Sequence, residues 1–190
     1  MYGGNFSTSV TGNYEFSGIT AGLGSALTGG DFLQGAGIGL MTTGLNHLQH
    51  TIQDEIARLA EHYRNNANKF KSSWDVNSSP EKMQKCNRFV FDVTDEAGAG
   101  VGHYFSAGEW ADTSATIPGW EVVNGAPQRG DVAAFSFNYP DGASGHCGII
   151  VRPSGKYLIY AGIHDIRMTS ISNFFVWNNL KWTYRRYIGK

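Results

Sequence analysis

Two side chains in this sequence could together carry out nucleophilic acyl transfer: Cys86 and His146. A cysteine near the start of a helix feels the positive end of the helix dipole, which draws its thiol toward the reactive thiolate. Cys86 heads the run Cys86-Asn87-Arg88-Phe89-Val90. His146 follows Gly145 at the opening of an apolar strand and precedes Gly148, so its imidazole can face a cleft as a general base. Thiolate plus imidazole is the minimum set for that chemistry. The second cysteine, Cys147, points to the opposite strand face from His146. It is therefore read as a core residue on the wrong face to meet Cys86. With two cysteines, neither a disulfide framework nor a zinc knuckle is implied. A zinc hydrolase assembled from His103, His146, His164 and Asp131 stays open, although no two of these have tight ligand spacing. His47 and His50 stand one helical turn apart with no third ligand nearby, and Gly142-Ala-Ser-Gly-His146 does not match a serine nucleophile elbow.

The surrounding elements must hold these two groups together. Thr51 with Asp54 resembles a capping box, and Ile52, Ile56, Leu59, Tyr63 and Phe70 follow at helical spacing, predicting a helix over 51–71. Ser79-Pro80 is a second helix start, followed by an apolar stripe of Met83, Cys86, Phe89, Val90, Val93 and Ala97 that ends at Gly98 and Gly100. That start would put Cys86 in the second turn unless residues 80–85 form a separate turn. Strands are predicted over 132–137, 146–152 and 156–163, separated by turns at Tyr139-Pro-Asp-Gly142 and Pro153-Ser-Gly155. One more strand is expected around Trp177, Trp182, Tyr184 and Tyr187. Helices followed by an antiparallel meander make an α+β fold. Asp131, after Gly130, is expected to hydrogen-bond its own turn more than to react, and Trp74, Trp110 and Trp120 are either core or groove residues.

The first 50 residues differ in texture. They contain 12 of the chain's 25 glycines and only two ionised side chains, Glu15 and Asp31. Glycine costs backbone entropy on ordering, so this stretch reads as a loosely packed extension or a segment that folds against a larger assembly. Gly35, Gly37 and Gly39 would also permit a close-packed small-residue helix. The expected layout is thus an extension over 1–50 and a catalytic domain over 51–190. A formal charge of −1 argues against nucleic acid as a partner, and no Lys/Arg cluster points to anionic lipid. The segment from Phe16 to Gly44 is Gly- and Thr-rich, a poor spanning helix, so no membrane insertion is expected. The N-terminus Met-Tyr-Gly-Gly-Asn-Phe lacks a basic region before an apolar run, which disfavours general export and leaves a specialised machine open.

Four motifs carry a family resemblance. Cys86-Asn-Arg-Phe-Val90, Pro127-Gln-Arg-Gly130-Asp131-Val-Ala-Ala-Phe135, Gly145-His146-Cys-Gly-Ile-Ile-Val151 and Tyr160-Ala-Gly162 together resemble the papain-like peptidoglycan hydrolases, the CHAP and NlpC-type cysteine amidases and endopeptidases. The resemblance covers roughly residues 74–165. It implies a papain-like core in which a cysteine-bearing helix packs on an antiparallel sheet. It also implies Cys86 as nucleophile, His146 as general base and later acid, and backbone N–H groups at the helix start as the oxyanion site. No cofactor and no metal are implied. The Gly-rich start, with Gly22-Leu-Gly-Ser-Ala-Leu-Thr-Gly-Gly-Asp31, is similar to the joint between an RHS-type polymorphic toxin shell and its C-terminal toxin, as in type VI secretion effectors.

The third catalytic residue stays open between neighbours. Alignment with the NlpC type puts Tyr160 where that family has His, Asn or Gln. If Arg152 pairs with Lys156, His146 faces Gly162, and residues 160, 162 and 164 share its face. His164 is favoured on that register; Asp165 needs a bulge or a one-residue slip.

The implied function is cleavage of an amide bond in the stem peptide of bacterial peptidoglycan by an antibacterial toxin. The toxin would be made in the cytoplasm and delivered to the target's cell wall, with an immunity protein protecting the producer and an RHS shell or secretion apparatus as further partners. A papain-like protease or deamidase acting on a protein, and a non-enzymatic cell-wall-binding module, are the other classes.

Overall fold

A computed structural model describes residues 21, 23–75, 85–140, 142–152, 154, 157–174 and 180–189. Pro80, Met83, Trp177, Pro153 and Gly155 lie outside the described residues, as does the side chain of His47. The chain divides into two compact units, Met1–Thr51 and Ile52–Lys190.

In the first unit, residues 23–27 are helical and Asp31 starts the next helix. Its carboxylate accepts from the backbone N–H of Leu33 at 2.7 Å and of Gln34 at 3.1 Å, satisfying two donors that a helix start leaves orphaned. This helix, α1, runs Phe32–Asn65. Thr51 therefore lies within a helix and does not begin one. The Asp31 cap supplies the start, and Leu, Ile, Met and Thr between the glycines keep the helix going despite about 1 kcal/mol lost at each glycine. Small residues do allow close packing here: a Cβ on Gly35 would stand 2.6 Å from the carbonyl oxygen of Ala21. The predicted end at Lys71 also moves. The side chain of Asn66 donates to the carbonyl of His62 at 2.7 Å, α1 closes at Asn65, and short 3-10 turns follow at Ala67–Lys69 and Ser72–Trp74.

The second unit is built on a six-stranded antiparallel sheet. In spatial order its strands are β1 (Trp120–Val122), β6 (Thr183–Tyr187), β2 (Val132–Ser136), β3 (Gly145–Ile150), β4 (Tyr157–Ala161) and β5 (Ile166–Ser170). The predicted meander is β2-β3-β4, extended by β5 at one edge and by β6 and β1 at the other. The fold is α+β, with α2 (Cys86–Glu96) and α3 (Ala107–Ala111) packed on the sheet. Strand alternation divides the side chains. Ala134, Cys147, Ile149, Ile159 and Ala161 face a core shared with Ile56, Ala60, Phe89, Val90, Val93 and Trp110. Ala133, Ile150 and Leu158 face the other side, under Tyr160, Ile171, Trp182 and Tyr184.

Two features fasten the core. Trp74 is fully buried, edge-on to Tyr63, Phe70 and Phe89, and donates Nε1–H to Asp92 at 2.8 Å. Trp74, Trp110 and Trp120 are all core residues rather than a groove lining. Asp131 is also fully buried. It accepts from its own turn at Gln128 N (2.7 Å), from Gln53 Nε2 (3.1 Å) and from both Nε (3.0 Å) and Nη2 (2.9 Å) of Arg186. Asp131 thereby ties the start of β2 to β6 and α1, and every bond it makes is structural.

Candidate active site

The helix carrying Cys86 starts at that residue. Lys85 is non-helical (φ −104°, ψ 36°), and the first helical bond runs from Phe89 N to Lys85 O at 3.1 Å. Cys86 is therefore in the first turn and not the second, so Ser79-Pro80 does not begin this helix. The first backbone N–H groups of α2 have no intrahelical carbonyl, and their partial positive charge lies beside the thiol.

His146 is set by Gly145 and by β2. Gly145 has φ +144°, and a Cβ there would collide with the carbonyl of Phe135, so this strand opening admits only glycine. The next residue is 5% exposed. Its imidazole lies between two rings, Phe135 at 6.1 Å and 42° and Tyr160 at 4.6 Å and 84°.

The structure brings Cys86, His146 and Cys147 together. The Cys86 thiol is hydrogen-bonded to the side chains of both Cys147 and His146. Its pKa falls well below the ordinary thiol range. The largest cause is the Cys147 thiol donating to its sulfur; the charge of His146, a hydrogen bond from that ring and the Cys147 backbone add to it, against the opposing effect of burial. Cys147 moves well above the ordinary range, through burial first and then through its bond to Cys86 and the nearby thiolate. The expectation that Cys147 stands on the wrong face for Cys86 is thus corrected. Its face of β3 is the one α2 covers, and the first turn of α2 reaches both Cys147 and the strand opening where His146 begins.

The thiol borders a cleft of about 180 Å³ lined by Lys85, Asn87, Ser106, Ala107 and the loop Gly142–Gly145. The walls are held by short polar bonds. Gly108 N donates to Ser144 Oγ at 3.1 Å, and Ser106 and Glu109 form a reciprocal capping box at the start of α3. Apart from Lys85, the lining is neutral and small.

The strand register is the one expected from the sequence: Ile149 pairs with Ile159 and Ile150 with Leu158. His164, however, bonds through Nδ1 to Asp75 Oδ2 at 3.0 Å and is 59% exposed. Asp165 pairs with Arg167 at 2.8 Å. The ring packed on His146 is that of Tyr160. Asp75, 89 positions from His164, had no signal in the sequence.

The four residues weighed for zinc are not gathered. Asp131 is bound to Arg186, His164 to Asp75, and the His103 ring lies 4.1 Å from Phe105. Among the described residues no group of three or more His, Cys, Asp or Glu could hold a metal, and no helix is long and apolar enough to cross a membrane.

No curated protein matches the chain. A chain of the crystal structure of the type VI native effector–immunity complex Tae3–Tai3 from Ralstonia pickettii is similar at 17% identity and a TM-score of 0.42, covering 71% of this chain and 98% of that one. The family model for the CHAP domain matches residues 74–162. Cys86, His146, α2, α3 and the strands β1–β4 all fall inside those limits, and over that region the chain is similar to the CHAP domain.

Proposed function

We propose that residues 51–190 form a cysteine hydrolase that cuts an amide bond in the peptide part of bacterial peptidoglycan, acting as an antibacterial toxin. The observation that carries this reading is the Cys86 thiol, hydrogen-bonded to His146 at a helix start, beside a cleft in a region that matches the CHAP domain. The Cys86 thiolate attacks the carbonyl carbon, and the oxyanion is held by backbone N–H groups at the start of α2. His146 gives its proton to the departing amine, then takes one from the water that releases the acyl group. Lowering of the thiol pKa matters because only the thiolate attacks, so a larger share of the sulfur is in the reactive form. An amidase cutting at the sugar-linked alanine and an endopeptidase cutting within the stem use the same chemistry.

The delivery half of the proposal rests on the Gly-rich segment over 1–50, similar to the joint of an RHS-type toxin. It places the chain in the cell wall of a target bacterium after export by a specialised apparatus, with an immunity protein protecting the producer.

The test is a digest of purified peptidoglycan with wild type and Cys86→Ala, read by mass spectrometry. Fragments with a new amine from wild type alone support the reading and identify the bond. Absence of fragments from both proteins overturns the substrate and turns attention to a protein target. For delivery, periplasmic expression with and without a neighbouring small protein is decisive, since no rescue by any neighbour counts against it.

A further inference from the structure

We propose that Tyr160 is the positioning residue for His146, acting through its ring. The inference rests on the reading that His146 serves Cys86, and it deepens that reading by assigning the support of the base.

Three observations converge on Tyr160. On β4 it shares its sheet face with Leu158, which pairs with Ile150, and strand alternation puts Gly148 and His146 on that same face. The two rings meet edge to face, 4.6 Å apart at 84°, while Phe135 bounds the imidazole from β2. Such a contact fixes the plane of a ring without needing a charge.

Behind the phenol lies a second layer. Arg167 stands directly opposite Tyr160 in the β4–β5 ladder. Arg167 Nε in turn donates to Asp165 Oδ1 at 2.8 Å. Gly162 leaves the room for this pair: a Cβ there would stand 2.8 Å from the Asp165 carboxylate and 2.9 Å from Arg167 Nε. His164, by contrast, is held by Asp75. Tyr160 touches no reacting atom and works by fixing the ring that does.

Tyr160→Leu keeps apolar volume over Ile150 and Trp182 but removes the ring; Tyr160→Phe keeps the ring and removes the hydroxyl. On the full chain, Tyr160→Leu is expected to lower kcat for fragment release about 100-fold, the size of effect that a misplaced catalytic group produces, with KM nearly unchanged. Iodoacetamide alkylation of Cys86 should slow in parallel, while Tyr160→Phe restores most of both rates. A folded Tyr160→Leu variant with unchanged kcat and alkylation overturns the proposal. So does a Tyr160→Phe variant as impaired as Tyr160→Leu, or a loss of the same size from His164→Ala alone. Alkylation needs no substrate, so it tests Tyr160 even if peptidoglycan is left uncut, and the two failures stay distinct.

Discussion

The Cys86 and Cys147 side chains share a hydrogen bond that pulls the Cys86 pKa down and pushes the Cys147 pKa up, although Cys147 and His146 are adjacent in β3 and point to opposite faces of the sheet. Cys86 lies where the end of α2 meets the opening of that strand, so it is flanked from both faces at once. One partner is the imidazole of His146. The other is a thiol held protonated, whose hydrogen bond stabilises the neighbouring thiolate.

Replacing Cys147 should therefore change the pH response of Cys86 more than its maximum rate. The pKa of the folded thiol is lowered well below the ordinary range, so its thiolate persists to lower pH than that of an ordinary cysteine. Without the donor, that titration moves up. Cys147→Ala should alkylate about tenfold more slowly than wild type at pH 6, the equivalent of one charge-assisted hydrogen bond, and nearly equally at pH 9. Cys147→Ser, which keeps a donor, should fall between them. Identical profiles for all three proteins would remove Cys147 from the site.

Cys86→Ala and His146→Ala should each lower hydrolysis by at least about a thousandfold, because the two act as a unit whose losses do not add. A double variant should be no worse than either single. Thermal unfolding within a few degrees of wild type separates this from a folding defect, whereas collapse of either variant would assign that residue to packing.

Asp131 should behave in the opposite way. Removing its carboxylate strands the Arg186 guanidinium and the side chain of Gln53. Asp131→Ala is expected to cost about 3 kcal/mol of folding stability in a urea titration, the usual consequence of breaking a buried pair from one side. Hydrolysis per folded molecule should stay close to wild type. A specific-activity loss with unchanged stability would instead place Asp131 in the chemistry.

Glu61 gives a stability effect with a defined pH sign. The Arg129 guanidinium, bonded at 2.8 and 2.9 Å, holds its carboxyl below the usual range against a small opposing effect of burial. A lowered folded pKa means stabilisation present above the unfolded value and lost as pH falls through the folded one. The pair is partly exposed, so Glu61→Gln should cost only about 0.5 kcal/mol at pH 7. That difference should shrink as pH falls below the usual carboxylate range; a gap that widens on acidification would have the wrong sign.

How much of this was legible in the sequence follows the range of each interaction. Cys86 and His146 could be picked out because local signals surround them: an apolar stripe at helical spacing in one case, Gly145 before a strand in the other. The β3–β4 register was legible too, since a short hairpin and a period of two leave few choices. Local signals failed where something distant competed. Thr51 has the pattern of a cap, yet Asp31 starts the helix 20 positions earlier. Pro80 looks like a helix start, but the residue that begins the described helix is Cys86. β1 and β5 were not among the expected strands; β1 has only three residues, too few to show a period.

The α+β fold, the pairing of β3 with β4 and the sheet face of His146 could be read from the amino-acid order, since each depends on residues a few positions apart. Only the tertiary structure decided what surrounds them. Asp75 takes His164 across 89 positions, Arg186 reaches Asp131 across 55, and Cys147 meets Cys86 because α2 covers that face of the sheet. Such partners have no fixed spacing in a sequence; they are chosen by how helices and strands bury their apolar faces against one another.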